Sequence, residues 1–124
     1  MTVTPGYRAF VEDQLGRVVP LRSRAMFGGV GLYADDVFFA LIDDDALYFK
    51  VDDATRPRYE ARGMAPFQPP GEVSFSYFRV PGDVLEDVEE LRGWAEEAAE
   101  AARRSRGTQS RAARKPAARS RKRP

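Results

Sequence analysis

Arg22-Ser23-Arg24-Ala25-Met26-Phe27-Gly28-Gly29-Val30-Gly31-Leu32-Tyr33 is the stretch on which the architecture turns. It places three glycines in four positions, between two arginines and an aliphatic–aromatic run. Glycine accepts positive φ and lets a second backbone come close, so the cluster predicts a tight turn or bulge between two strands. In that geometry Met26 and Phe27 belong to the core. A second use of the same residues is chemical. Arg22, Arg24, Gly28, Gly29 and Gly31 are candidate contacts for an anion or a partner, with backbone N–H groups and two guanidinium groups converging on a phosphate or carboxylate. The spacing matches neither a Walker loop nor a dinucleotide fingerprint.

Downstream, short apolar runs alternate with turn residues. Strands are expected at Ser23–Phe27, Val30–Ala34, Val37–Ile42 and Leu47–Val51, joined at Asp35-Asp36 and Asp43-Asp44-Asp45. Aspartate suits such turns because its side chain bonds nearby backbone N–H groups. Links this short favour an antiparallel meander. Val37–Ile42 is apolar at both parities, which predicts a central strand covered on both faces. Lys50 is expected on a wetter face. Upstream, Thr4-Pro5 supplies a cap and a first helical residue. Tyr7, Phe10, Val11, Gln14 and Leu15 then recur at helical spacing, predicting an amphipathic helix over about 5–15 that ends near Gly16.

Farther along, Thr55–Arg62 reads as a short helix with Asp53 as cap and Gly63 as its end. Pro66, Pro69, Pro70 and Gly71 make an irregular crossing. Ser74–Val80 is the next strand, and Phe75, Tyr77 and Phe78 are expected to pack in the core rather than stack on bases. A last helix from Asp87 to Arg104 has Asp87 as cap with Glu90 at the capping-box position. Val88, Leu91, Ala95, Ala98 and Ala102 form its apolar stripe.

Charge divides the chain. Residues 103–124 carry ten Lys and Arg and no acid. The other ten basic residues and all nineteen acids lie in residues 1–102, giving that body −9. Residues 1–104 are therefore expected to fold as one domain, and 105–124 to form a disordered basic tail with almost nothing to bury. Within it Arg111, Arg114, Lys115, Arg119, Arg121, Lys122 and Arg123 are candidate nucleic-acid contacts, acting on phosphates without regard to base sequence.

The chain has no Cys and no His. Thiol nucleophiles, Ser–His and Cys–His dyads and His/Cys zinc sites are excluded. Asp43–Asp45 and Asp52-Asp53 lack the spacing of a calcium loop, and turn chemistry accounts for them. No catalytic, cofactor or metal residue is expected. No apolar run is long enough for a membrane span and no signal-peptide pattern is present, so a cytoplasmic location is expected.

Arg24-x-Met26-Phe27-Gly28-Gly29-x-Gly31-x-Tyr33 is followed in order by Phe39–Ile42, Leu47–Asp52, Gly63-x-x-Pro66-Phe67, Ser76-Tyr77, Val80-Pro81, Leu85 and Leu91-x-x-Trp94-Ala95. Together they resemble the N-terminal domain of the TfoX/Sxy family over roughly residues 7–102. The resemblance implies an α+β, secretion-chaperone-like domain, with helices on an antiparallel sheet of about five strands in the order α-β-β-β-β-α-β-α. It also implies a non-enzymatic regulatory or interaction module related to transcription or competence, and no catalytic residues. The full-length regulators carry a second helical domain where this chain carries its basic stretch. Expected partners are a protein, and nucleic acid through the tail. A homodimer through the Ala-rich helix or a sheet edge is a further candidate. The alternative function is a small-anion-binding protein or enzyme using the Gly-rich turn and Arg24.

Overall fold

A computed structural model describes residues 3–26, 28–68 and 74–114. A six-stranded antiparallel sheet organises them, in the order β1-β2-β3-β4-β6-β5. The strands are β1 (Leu21–Met26), β2 (Gly29–Ala34), β3 (Val37–Asp43), β4 (Ala46–Lys50), β5 (Pro66–Phe67) and β6 (Ser74–Arg79). The first four form the expected meander. Asp44 and Asp45 both adopt positive φ, 51° and 53°, in the two-residue β3–β4 turn. This is the primed hairpin geometry that matches strand twist, and aspartate tolerates it better than most side chains.

Helices α1 (Pro5–Gly16), α2 (Arg56–Ala61), α3 (Gly82–Glu86) and α4 (Val88–Arg114) complete the described elements. Thr4 caps α1, its side chain accepting from the Tyr7 N–H, and Pro5 occupies the first turn. Asp87 caps α4 by accepting from the N–H groups of Glu89 and Glu90 at 3.1 and 3.2 Å. The α4 stripe of Leu91, Trp94, Ala95, Ala98 and Ala102 is buried with Leu32, Phe39, Phe49 and Phe78. Val11 and Leu15 of α1 and Tyr59 of α2 join the same core. Tyr59 packs edge-on against Trp94, ring centroids 4.8 Å apart. Gln14 is also buried there, and its amide donates to the Leu85 carbonyl at 2.9 Å, tying α1 to α3. All the core helices therefore press on one side of the sheet.

Several expectations are corrected. The sheet has six strands rather than five, because Pro66–Phe67 pairs with β6; being at the edge, it can include a proline that lacks an N–H. A short α3 precedes α4 after Pro81. Asp52, not Asp53, organises the start of α2, accepting from the N–H groups of Ala54 and Thr55. Phe10 is 41% exposed rather than buried. The last helix does not stop at Arg104: its backbone continues to Arg114, so residues 105–114 are helical where disorder was expected. Ala, Arg and Gln propagate a helix that the packed half has already nucleated, and Gly107 costs only about 1 kcal/mol. Residues 115–124 lie outside the described residues.

Candidate functional site

Strand alternation puts one set of side chains under the helices and the other on the far side. Register assigns Val30, Leu32, Ala40, Ile42, Phe49 and Phe78 to the covered side. Arg22, Arg24 and Met26 of β1, Tyr33 of β2, Phe38 and Leu41 of β3, Tyr48 and Lys50 of β4, and Tyr77 and Arg79 of β6 fall on the other. No described helix covers that face. The expectation that Val37–Ile42 is buried on both sides is thus corrected: Phe38 and Leu41 are only half-buried. Tyr77 likewise leaves the core and stands on this open face, whereas Phe78 is in the core.

The open face is built as a row. Arg22 lies 5.5 Å over the Tyr33 ring. The Tyr33 and Phe38 centroids are 5.3 Å apart, and those of Phe38 and Tyr77 are 6.1 Å apart. Lys50 closes the row 5.2 Å over the Tyr77 ring. Burial pushes the Tyr77 hydroxyl up to about 12, with Tyr33 adding to the shift. Burial also lowers the Lys50 pKa, against the pull of Asp52. Beside the row, Met26, Phe38, Leu41 and Phe67 wall a largely apolar cavity of about 260 Å³. Phe67 reaches it from the far edge, its ring tilted against Tyr48 with centroids 4.7 Å apart.

Cations on the two sides differ. On the helical side and its rim, Arg8 pairs with Glu12, Arg17 with Asp13, Arg56 with Asp53 and Arg58 with Glu97. Arg62 pairs with Glu90, Arg92 with Glu89, Arg103 with Glu100 and Arg104 with Asp52. Among the described residues, Arg22, Arg24, Lys50 and Arg79 form no ion pair, and all of them stand on the open face. The hydrogen bond from Arg104, with help from Thr55, holds the Asp52 carboxyl below its ordinary range.

The glycine stretch falls into separate duties. Gly28 takes φ 80° in the β1–β2 turn, and Phe27 lies outside the described residues. Gly29 pairs with Met26 and Gly31 with Arg24 within the ladder. A Cβ on Gly29 would stand 2.5 Å from the Ile42 carbonyl oxygen, and one on Gly31 2.6 Å from the Met26 Cε. The neighbouring strand's backbone therefore explains Gly29, and the Met26 and Phe38 side chains packed over Gly31 explain the second. Arg22 and Arg24 do share a face with Gly31, but Gly29 and Gly31 lie in strand rather than in a looped anion nest. The acidic clusters take turn and capping positions, as expected.

Of the candidate nucleic-acid contacts, Arg111 and Arg114 lie on the C-terminal part of α4. Lys115, Arg119, Arg121, Lys122 and Arg123 lie outside the described residues. The signals missed by sequence reasoning are Phe38, Tyr77, Lys50 and Arg79 as members of one surface; only the sheet order brings them together. No described helix is long and apolar enough to cross a membrane.

A family model described as the TfoX N-terminal domain matches residues 13–102. No curated protein sequence matches the chain.

Proposed function

The chain belongs to the TfoX N-terminal domain family, and from that premise we propose a non-enzymatic regulatory module, transcription- or competence-related and cytoplasmic. Its folded body binds a protein partner, and its basic C-terminal stretch holds nucleic acid non-specifically. The observation that supports this is the division of charge along one helix. The first half of α4 carries Glu89, Glu90, Glu96, Glu97 and Glu100 and packs on the sheet. Beyond Ala102 the chain carries only basic charge, on a helix that continues to Arg114. An extended cationic element suits phosphate contact without base recognition. The small-anion alternative is weaker, since Gly29 and Gly31 lie in strand and are crowded by the Ile42 carbonyl and by the Met26 and Phe38 side chains, and the cavity beside them is lined mostly by apolar groups.

The test compares the full chain with a variant in which Arg106, Arg111, Arg114, Lys115, Arg119, Arg121, Lys122 and Arg123 are all glutamine. Duplex DNA affinity is measured against salt. With about 5 phosphates engaged, log affinity of the unmodified chain falls with a slope of about −4.5 against log salt, and the variant loses most of it. Equal retention of duplex by the two chains would sink the proposal.

A further inference from the structure

We infer that the open face of the sheet is a platform for single-stranded nucleic acid, with bases stacking on the Tyr33–Phe38–Tyr77 row and phosphates held by Arg22, Arg24, Lys50 and Arg79. This site is separate from the C-terminal stretch and does not depend on it.

The first argument is composition by face. A sheet side left uncovered by helices ordinarily carries polar side chains toward water. Here it carries three adjoining rings flanked by two cations, each cation seated over a ring. Phe38, at the centre, has no cation over it. Bases stack on aromatic rings and on guanidinium planes alike, and every base has a π face. Three rings in a row with a cation at each end offer stacking surfaces and phosphate contacts to the same strand.

The second argument is charge. Residues 1–102 carry −9, which opposes a polyanion at long range. That charge is not evenly spread. The acids occupy helices, turns and caps, where they neutralise the arginines around them. Among the described residues the cations of the open face form no ion pair; Asp43 is the one described acid that register places on that face, while Asp52 acts on Lys50 and Asp44 on Tyr48 from its rim. In a body of residues 1–102 that holds nineteen acids and ten basic residues, unpaired cations gathered on one face are complementary to an anionic ligand. Over the short range of a Debye length the face acts on its own charge.

The third argument is size. The cavity between Met26, Leu41 and Phe67 is about 260 Å³ and apolar. It suits one ring system of a longer ligand rather than a whole small molecule. An unpaired base at the end of the stacked row can enter it; a base held in a duplex cannot.

The test uses the full chain carrying the eight C-terminal glutamine substitutions, so that the other basic element is silent. Its probe is a fluorescein-labelled 12-nucleotide oligo-dT, read by anisotropy beside a labelled duplex of equal length. The expected result is tighter binding of the single strand than of the duplex. Phe38→Ser weakens it about tenfold and Phe38→Tyr, which keeps the ring, restores it. Arg24→Glu, at an exposed position, weakens it by a similar factor with an unchanged melting temperature. Absence of oligo-dT binding overturns the platform while leaving the C-terminal stretch as the nucleic-acid element. Equal or tighter duplex binding overturns it too, as does single-strand binding indifferent to Phe38→Ser and Arg24→Glu. Tighter capture of a labelled Glu/Phe peptide assigns the face to an acidic protein segment instead. A dimer that Arg24→Glu dissociates assigns it to a second copy. Either of these last results also overturns the proposal.

Discussion

The two sides of this sheet are made from the same strands, one residue out of phase, and they solve opposite problems. On the covered side Leu47, Phe49 and Phe78 meet helices and lose nearly all contact with water. On the other, Tyr48, Lys50 and Tyr77 from the same strands remain half-buried, and no described helix lies over them. Among the described residues arginines follow the same division, paired around the helices and without an ion pair on the open face. Apolar content alone therefore does not say which side of a sheet is the core. What separates the sides is whether charge is neutralised where it stands.

The comparison can be broken most forcefully with leucines. Leu47→Ala on the covered side should cost about 2–5 kcal/mol, since the side chain is fully enclosed and leaves a cavity. Leu41→Ala on the open side should cost only about 1 kcal/mol, because the half-buried leucine already meets water. Urea midpoints of the two variants measure the difference, and equal losses would mean the open face is as deeply packed as the core.

A smaller effect comes from the glycines of β2. Gly29→Ala drives a methyl into the Ile42 carbonyl, which is backbone and cannot yield cheaply, so about 1–3 kcal/mol is expected. Gly31→Ala meets side chains rather than backbone, the flexible end of Met26 and the edge of the Phe38 ring at 3.1 Å, and should cost about 1 kcal/mol. Thermal unfolding in parallel ranks them; the reverse order would contradict the register.

Smallest of all is the charge comparison. Arg24→Gln removes an unpaired cation and should leave stability unchanged. Asp52→Asn removes the partner of Arg104 and a turn acceptor, for about 1 kcal/mol or less at neutral pH. Because the folded-state pKa of Asp52 is depressed, its contribution is present above the unfolded value of about 4 and is lost as pH falls through the folded one. Urea midpoints from pH 7 down to pH 2 should therefore converge for the wild type and Asp52→Asn. A gap that stays constant to pH 2 would remove the carboxylate from the account.

Much of the frame was legible in local chemistry. Thr4-Pro5 and Asp87 announced helix starts because caps act within three residues. The aspartate turns announced the meander for the same reason. The stripe of α4 was visible through its period. What escaped needed the sheet order. Phe38 and Phe39 look alike in sequence, and a register shift opposite Leu32 and Tyr33 breaks alternation, so that Phe38 shares a side with Leu41 and Phe39 one with Ala40. Arg58 finds Glu97 and Arg104 finds Asp52 across long stretches of chain, so neither pairing is a spacing pattern. Tyr77 is brought beside Phe38 by strands far apart in the chain. The glycine cluster was legible as demanding geometry, but only the contacts of Gly29 and Gly31 show which demand each one meets.

The two ends of the sheet bear on how the protein behaves when crowded. A free edge strand is a template on which another chain can add a strand and begin to aggregate. One edge here is β5, two residues long and half proline, which offers a newcomer almost no backbone to pair with. The other is β1, longer, but carrying Arg22 and Arg24, which set like charges against any stacked copy of itself. The pair of arginines that begins the glycine stretch thus also works as a gatekeeper, keeping a sheet with one uncovered apolar side from polymerising along its own edge.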